Sequence, residues 1–273
     1  MAIAYVFSVM KANLYAFYCW IKNNRGLAFM MLLWPYMMAF FLIGIGSILG
    51  SIDVYSKRIG VEDPIFYILA SSSIMVSSIS IVDNVAGELL RHRWVGTLPY
   101  VMASPPRFIV FAIAGPIPAT LVTSFVTITS ILPAVMLFSG ITGSLKLFIL
   151  LMIVYIAMIP LIGLAVVVGG LSLIVREEAN IASFLTPLIL LVSGVFYPQT
   201  ILPWILRVIG DAFPLVYVVA TAKILALYKI PPFNVFIPII GMLIALSILY
   251  NSLAAPGMLV IEKKIREAGE YGE

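Results

Sequence analysis

Charged residues are so sparse along this chain that they divide it into long apolar runs, 26–52, 64–82, 108–145, 147–175, 179–206 and 230–261, with polar stretches between them. A helix crossing the hydrocarbon core of a bilayer needs roughly 20 apolar residues, so each run can hold one crossing. The pattern predicts six spans, at 27–50, 64–88, 108–138, 146–174, 180–197 and 233–258. The third run is long enough for two short helices, and Pro116, Pro118 and Pro133 interrupt it. Its clear turn signal, "SGITGS" at 139–144, lies near its end, so one long helix followed by a short loop is expected. The stretch "AFPLVYVVATAKILALY", 212–228, is apolar but short and carries Lys223. It is expected to lie in the membrane interface and not across the bilayer.

Two segments show a mixed pattern. Residues 4–24 combine Tyr5, Phe7, Tyr15, Phe17, Tyr18 and Trp20 with Lys11 and Lys22, a composition that favours the headgroup layer and predicts an amphipathic interfacial helix. The second is "RWVGTLPYVMASPPR", Arg93 to Arg107. Between Leu89 and Ala103, Trp94, Leu98 and Val101 recur at helical spacing, and Pro105 with Pro106 ends the pattern. Pro99 argues against an unbroken helix and for one that begins near it. Gly96 is expected to let another backbone approach closely. A short, rigid, partly apolar element of this kind suits a handle gripped by a soluble partner; the alternative is a loop whose basic residues anchor to lipid.

Composition fits this pattern. The chain is 63% hydrophobic and 10% charged, with a mean hydropathy of +1.14, whereas globular domains are about 45–50% apolar and about 25% charged. The fold class is therefore an all-α polytopic membrane protein, a single transmembrane domain over 1–273. The net charge of +4 comes from cations beside the spans, where anionic lipids attract them, so membrane lipids are the expected partners and nucleic acid is not. With six spans, one side receives Lys11, Lys22, Arg25, Arg91, Arg93, Arg107, Arg176, Lys263, Lys264 and Arg266, and the other Lys57, Arg58, Lys146, Arg207, Lys223 and Lys229. The positive-inside rule then places both termini in the cytoplasm. Splitting the third run would reverse the side of every later loop. No cleavable signal peptide is expected, because the first residues lack a basic n-region. The single cysteine, Cys19, is expected to serve packing.

Small and polar residues inside the spans predict how helices meet. Gly46 with Gly50, Ser73 with Ser77 and Ser80, and Gly163 with Gly170 each share a helix face, the spacing that allows close approach in lipid. Asp83, near the cytoplasmic end of the second span, is the one ionisable residue expected within a span; it either hydrogen-bonds to a neighbouring helix or reaches the interface, or it serves a proton or substrate. His92, between Arg91 and Arg93, is expected to be solvated. There is no GxxxxGK[ST] loop, HExxH or CxxC, and one histidine cannot build a histidine cluster. No catalytic residue and no metal site are assigned.

The "GTL" of Gly96, Thr97 and Leu98, followed by "ASP" at Ala103, Ser104 and Pro105, resembles the segment after the second span of ABC-2 type transporter permeases. The longer stretch 169–223 is similar to that family's fourth-to-fifth-span segment, with "SGVFYP" (Ser193 to Pro198), Leu202, Pro203 and Pro214 in the expected order. The resemblance implies a cytoplasmic coupling helix comprising Arg93, Trp94, Val95, Gly96, Thr97, Leu98 and Val101, and a second ATPase contact at Arg176, Glu177 and Glu178. It also implies a re-entrant external segment between the fifth and sixth spans, with Phe196, Tyr197, Pro198, Leu202 and Pro203 at an outer gate. A second permease copy would complete the pathway in the cytoplasmic membrane. ATP and Mg would be bound by separate ABC ATPase subunits, and this chain would hold no cofactor. Where the family often carries Glu immediately before "GTL", this chain has Arg91 to Val95, with Glu88 further upstream, a departure that implies a dedicated ATPase.

Three function classes follow. A non-catalytic exporter permease leads, its cargo a small amphipathic molecule, drug, lipid or peptide, with a glycan exporter as the alternative within the family. An ion-coupled secondary transporter would need internal symmetry and buried ion sites, for which only Asp83 offers itself. An intramembrane enzyme would need a second catalytic group.

Overall fold

A backbone in lipid must satisfy its own N–H and C=O groups, and helices do so within one segment. The computed structural model describes residues 2–48, 57, 60–104, 108–174, 181–195 and 199–268, and among the described residues there is no strand. In chain order the helices are α1 (Ala2–Asn23), α2 (Arg25–Ile48), α3 (Pro64–Trp94), α4 (Leu98–Ala103), α5 (Phe108–Ala114), α6 (Ile117–Ser130), α7 (Leu132–Ile174), α8 (Ile181–Ser193), α9 (Trp204–Asp211), α10 (Pro214–Leu227) and α11 (Phe236–Ala268). Five stretches are long and apolar enough to cross a membrane: Arg25–Gly44, Pro64–Trp94, Phe108–Ser130, Leu132–Leu173 and Phe233–Glu267. The pair α9–α10, bent by 96°, makes a sixth if taken as one broken crossing.

α3 is the axis of the bundle. It is buried along most of its length, from Phe66 to Leu90, against α7, α6, α2 and α10. Asp63 starts it by accepting a hydrogen bond from Phe66 N at 2.9 Å, with Pro64 in the first turn. The serines expected to mediate contact do so: Ser77 Oγ donates to Ser124 Oγ of α6 at 2.8 Å, and Ser73 Oγ to Thr127 O at 3.3 Å. Ser80 instead returns its hydroxyl to Val76 O in its own helix. On α7, a Cβ at Gly170 would stand 2.6 Å from Ile261 Cδ1, one at Gly163 would stand 3.1 Å from Asn251 Oδ1, and one at Gly169 would stand 3.0 Å from Ala86 Cα. Small residues thus let α7 lie against α11 on one face and α3 on another. The Gly46–Gly50 step reaches outside the described residues.

The third run is more broken than its sequence predicts. Instead of one helix over 108–138, the chain stops at Gly115 and Pro116, resumes as α6, turns at Ile131, and enters α7. Prolines permit a helix to start but not to continue through the position they occupy, and Pro116, Pro118 and Pro133 each lie at such a start. The expected turn in 139–144 is present. Gly140, at φ 65° and ψ −159°, breaks α7 there; unbroken, its 43 residues would extend about 65 Å. The chain folds back so closely that a Cβ at Gly143 would stand 2.5 Å from Ser139 Cβ and 2.9 Å from Val135 Cγ1.

Of the fifth span expected at 180–197, the described part is α8, whose 13 residues rise about 20 Å; residues 180, 196 and 197 lie outside the described set. One other expectation is corrected. The segment expected in the interface, 212–228, forms α10 in the interior of the bundle, with Leu215, Thr221, Ala222 and Leu225 fully buried. Its apolar side chains surround the helix, and a helix without a polar face is stable only when covered.

α3, α7 and α11 all finish at one end of the bundle, where Arg93 reaches Leu173 O and Arg266 reaches Met102 O. At the other end Asp63 N donates to Ala226 O of α10 at 3.0 Å, and the buried Lys146 lies 5.6 Å from the centre of the Phe66 ring. α1 matches the expected N-terminal helix; it packs on α5 and α6 and leaves Tyr5, Phe7, Tyr15, Tyr18 and Trp20 exposed.

Replacing Gly143 by Ala is expected to destabilise the protein by about 1–3 kcal/mol, the usual cost of overpacking. Gly241→Ala, where a Cβ meets nothing within 4 Å, is expected to leave stability unchanged or slightly raised. Thermal unfolding of the two variants side by side in detergent checks the pair.

Candidate functional site

At 31 residues α3 extends about 46 Å, some 16 Å more than a bilayer core requires. Its last turns, which carry Glu88, Arg91, His92 and Arg93, end in a Schellman motif. Gly96 N donates to Arg93 O at 3.0 Å, Thr97 N donates to His92 O at 2.9 Å, and Gly96 takes the left-handed conformation, φ 72°. A Cβ at Gly96 would meet nothing within 4 Å. Within this chain the glycine serves to stop the helix.

Thr97 precedes α4, which carries Pro99 in its first turn, as the position of that proline implies. The two helices are joined by a polar knot. His92 Nδ1 is 2.8 Å from Thr97 Oγ1, His92 Nε2 is 3.3 Å from Glu88 Oε1, and Arg91 Nη2 donates to both Glu88 oxygens at 2.7 and 2.9 Å. The His92 ring also meets Phe111 edge-on, with centroids 5.0 Å apart. His92 is therefore half-buried and partnered, contrary to the solvated residue expected. The i, i+4 spacing of Glu88 and His92 was a visible signal for part of this knot; the contact with Phe111 was not.

The expected stripe of Trp94, Leu98 and Val101 does not form one face, because the Schellman turn separates Trp94 from the other two. Leu98 is 1% exposed and Met102 5%, and both belong to the core that contains Met258, Ile261 and Ile265 of α11. Trp94, Val95 and Tyr100 point outward, Tyr100 with 77% of its surface exposed. α4 is thus an anchored helix with Tyr100 on its outer face, beside the exposed Trp94 at the end of α3. Beside it, α1 and α4 form the walls of a groove of about 400 Å³ in which Val9, Ala12 and Asn13 face Tyr100 and Val101.

Two arginines brace this end. Arg93 Nη1 donates to Leu173 O at 3.1 Å, joining the end of α3 to that of α7. Arg266 Nη2 donates to Met102 O at 2.8 Å, joining α11 to α4. The sequence marks Arg266 only as a cation, although Glu262 one turn earlier, which it also contacts at 2.8 Å, was a visible hint. Arg176, Glu177 and Glu178 lie outside the described residues, as do Phe196, Tyr197 and Pro198.

Leu202 and Pro203 are described. Leu202 is buried, and Pro203 precedes α9. The bend between α9 and α10 is held by Tyr250 Oη donating to Ala212 O at 2.6 Å and Tyr217 Oη donating to Asp211 O at 2.9 Å. Gly210 is seated where a Cβ would lie 2.8 Å from Val192 O. Asp83 is exposed on α3 and not buried among helices. It lies on the same open side as Gly87, whose Cβ position meets nothing within 4 Å. The neighbouring Asn84 Nδ2 is the atom that is buried without a hydrogen-bond partner.

No protein-family model matches the chain, and no curated protein matches it in sequence.

Because Gly96 occupies a left-handed position, Gly96→Ala is expected to cost about 1–2 kcal/mol, and Gly96→Asn less, since asparagine tolerates that region. Equal unfolding temperatures for glycine, alanine and asparagine would contradict the helix-stop role.

Proposed function

We propose that this chain is the membrane-spanning permease subunit of an ATP-driven exporter of the ABC-2 type. In this reading two copies form the pathway, a separate ABC ATPase binds ATP with Mg, and both termini face the cytoplasm. The observation that carries it is α4: a short helix anchored through Leu98 and Met102 at the ends of the long helices, with Trp94, Val95 and Tyr100 turned outward. An aromatic surface of this kind at the end of a bundle costs free energy in water and is characteristic of a surface that a protein partner covers.

Further support comes from the path of the chain. Ser8 and Val9 line the groove beside Tyr100 while Arg266 bonds Met102, so the beginning and end of the described chain lie at one end of the bundle. That requires an even number of crossings, and six results when α8 through α10 make the fifth. α10 fits the ascending arm of a re-entrant segment: Leu215 lies beside Ser78 and Leu161, and Ala226 meets Asp63 at the bundle's other end. Closure of the ATPase subunits would push on α4 and on the 176–178 loop and shift a two-state arrangement of helices. The apolar interior and aromatic surfaces suit a small amphipathic cargo.

Purification from the native membrane in mild detergent, through a tag at the C-terminus, is expected to recover an ATPase polypeptide in equal amount. Tyr100→Glu should insert normally and lose that partner, as expected for a hot-spot substitution of about 2 kcal/mol or more, roughly 30-fold in affinity. A wild-type chain that purifies alone, under conditions preserving other membrane complexes, would overturn the proposal.

A further inference from the structure

We propose that Arg266 is a positioning residue that locks α4 to α11, so that a force on the short helix is delivered to the last long helix. Six residues are too few to hold a helix without tertiary contacts, so the placement of α4 depends on what grips it. Its apolar side is seated through Leu98 and Met102 in the core cluster to which Ile261 and Ile265 also belong. Its C-terminal end is gripped by Arg266, which donates to Met102 O at 2.8 Å. That carbonyl lies in the last turn, where no helical N–H remains to satisfy it.

The guanidinium is aimed from behind by Glu262 Oε1, which accepts from Nη2 at 2.8 Å and from Nε at 3.1 Å. A charged donor oriented by a carboxylate makes a stronger and more directional bond than a neutral pair. α11 has 33 residues, extends about 50 Å and carries Pro256 in its interior; from the turn of Arg266 the same helix continues back into the core through Ile261, Met258 and Ala254. Arg93, bonded to Leu173 O, secures the end of α3 to α7. Arg266 supplies the connection from α4 itself to α11.

The consequence for transport rests on the reading of α4 as the ATPase contact, and the lock can be tested without it. Hydrogen exchange on the full chain in nanodiscs is expected to show the amides of Tyr100 and Val101 exchanging about tenfold faster or more in Arg266→Ala. The buried centre of α3 should be unchanged, Arg266→Lys should restore much of the protection, and Glu262→Gln should give an intermediate rate. Unchanged exchange at α4 in both Arg266→Ala and Glu262→Gln would overturn the lock. In the complex with the ATPase, Arg266→Ala is expected to retain the partner and its ATP hydrolysis while losing transport. Faster exchange with transport intact would overturn the transmission role. If no ATPase accompanies the wild-type chain, the exporter reading fails, and the exchange experiment still decides the lock.

Discussion

The structure depends on one constraint: wherever a helix breaks inside or beside the bilayer, the carbonyls released by the break must find a donor. The chain meets it with side chains from other helices. Tyr36 Oη donates to Ser130 O at the break between α6 and α7, Gln199 Nε2 to Val192 O after α8, and Tyr250 Oη to Ala212 O at the bend before α10. Arg93 and Arg266 do the same at the ends of α7 and α4. Except at Gln199, which reaches back only seven residues to Val192, each of these bonds is also a joint between distant segments. The side chains that make irregular backbone tolerable are the ones that determine where the irregular pieces lie.

Close packing supplies the second level of organisation. Apolar side chains gain little from leaving lipid for one another, so association depends on fit and on hydrogen bonds between helices. Gly163 and Gly169 bring α7 to backbone range of α11 and α3, Gly170 makes room for the Ile261 and Met258 side chains, and the Ser77–Ser124 bond joins α3 to α6. α3 takes part in both kinds of contact, and its C-terminal end, bonded to the end of α7, leads directly into α4. The same features explain why this end carries charge-assisted bonds while the interior carries hydroxyl bonds: guanidinium and carboxylate groups are tolerated only where the helices have passed the hydrocarbon.

Much of this was legible in the chain itself. Long apolar runs identify α2, α3, α7 and α11 because length and hydropathy are local properties, and Gly140 is visible as a break because few other residues reach its φ. The anchoring of α4 was half legible: Pro99 marks its start, but the buried roles of Leu98 and Met102 depend on Ile261 and Ile265, more than 150 residues away. Gly96 was visible as special, but its role in ending α3 was not, since a glycine that ends a helix and one that admits a neighbour look alike in sequence. The sequence left Asp83 between a neighbouring helix and the interface, because which side of α3 is covered depends on the other helices.

The sequence by itself determined that this is a helical membrane protein, where most of its long helices lie, and that the stretch after the second of them is an element apart. Periodicity, hydropathy and the backbone limits of proline and glycine act within a few residues and are fully encoded there. Only the tertiary structure decided that 214–227 is an interior helix, that His92 is held by Thr97 and Phe111, and that Arg266 grips α4. Those outcomes depend on which donor meets which released carbonyl across long stretches of chain, a matching set by the packed bundle as a whole and by no local pattern.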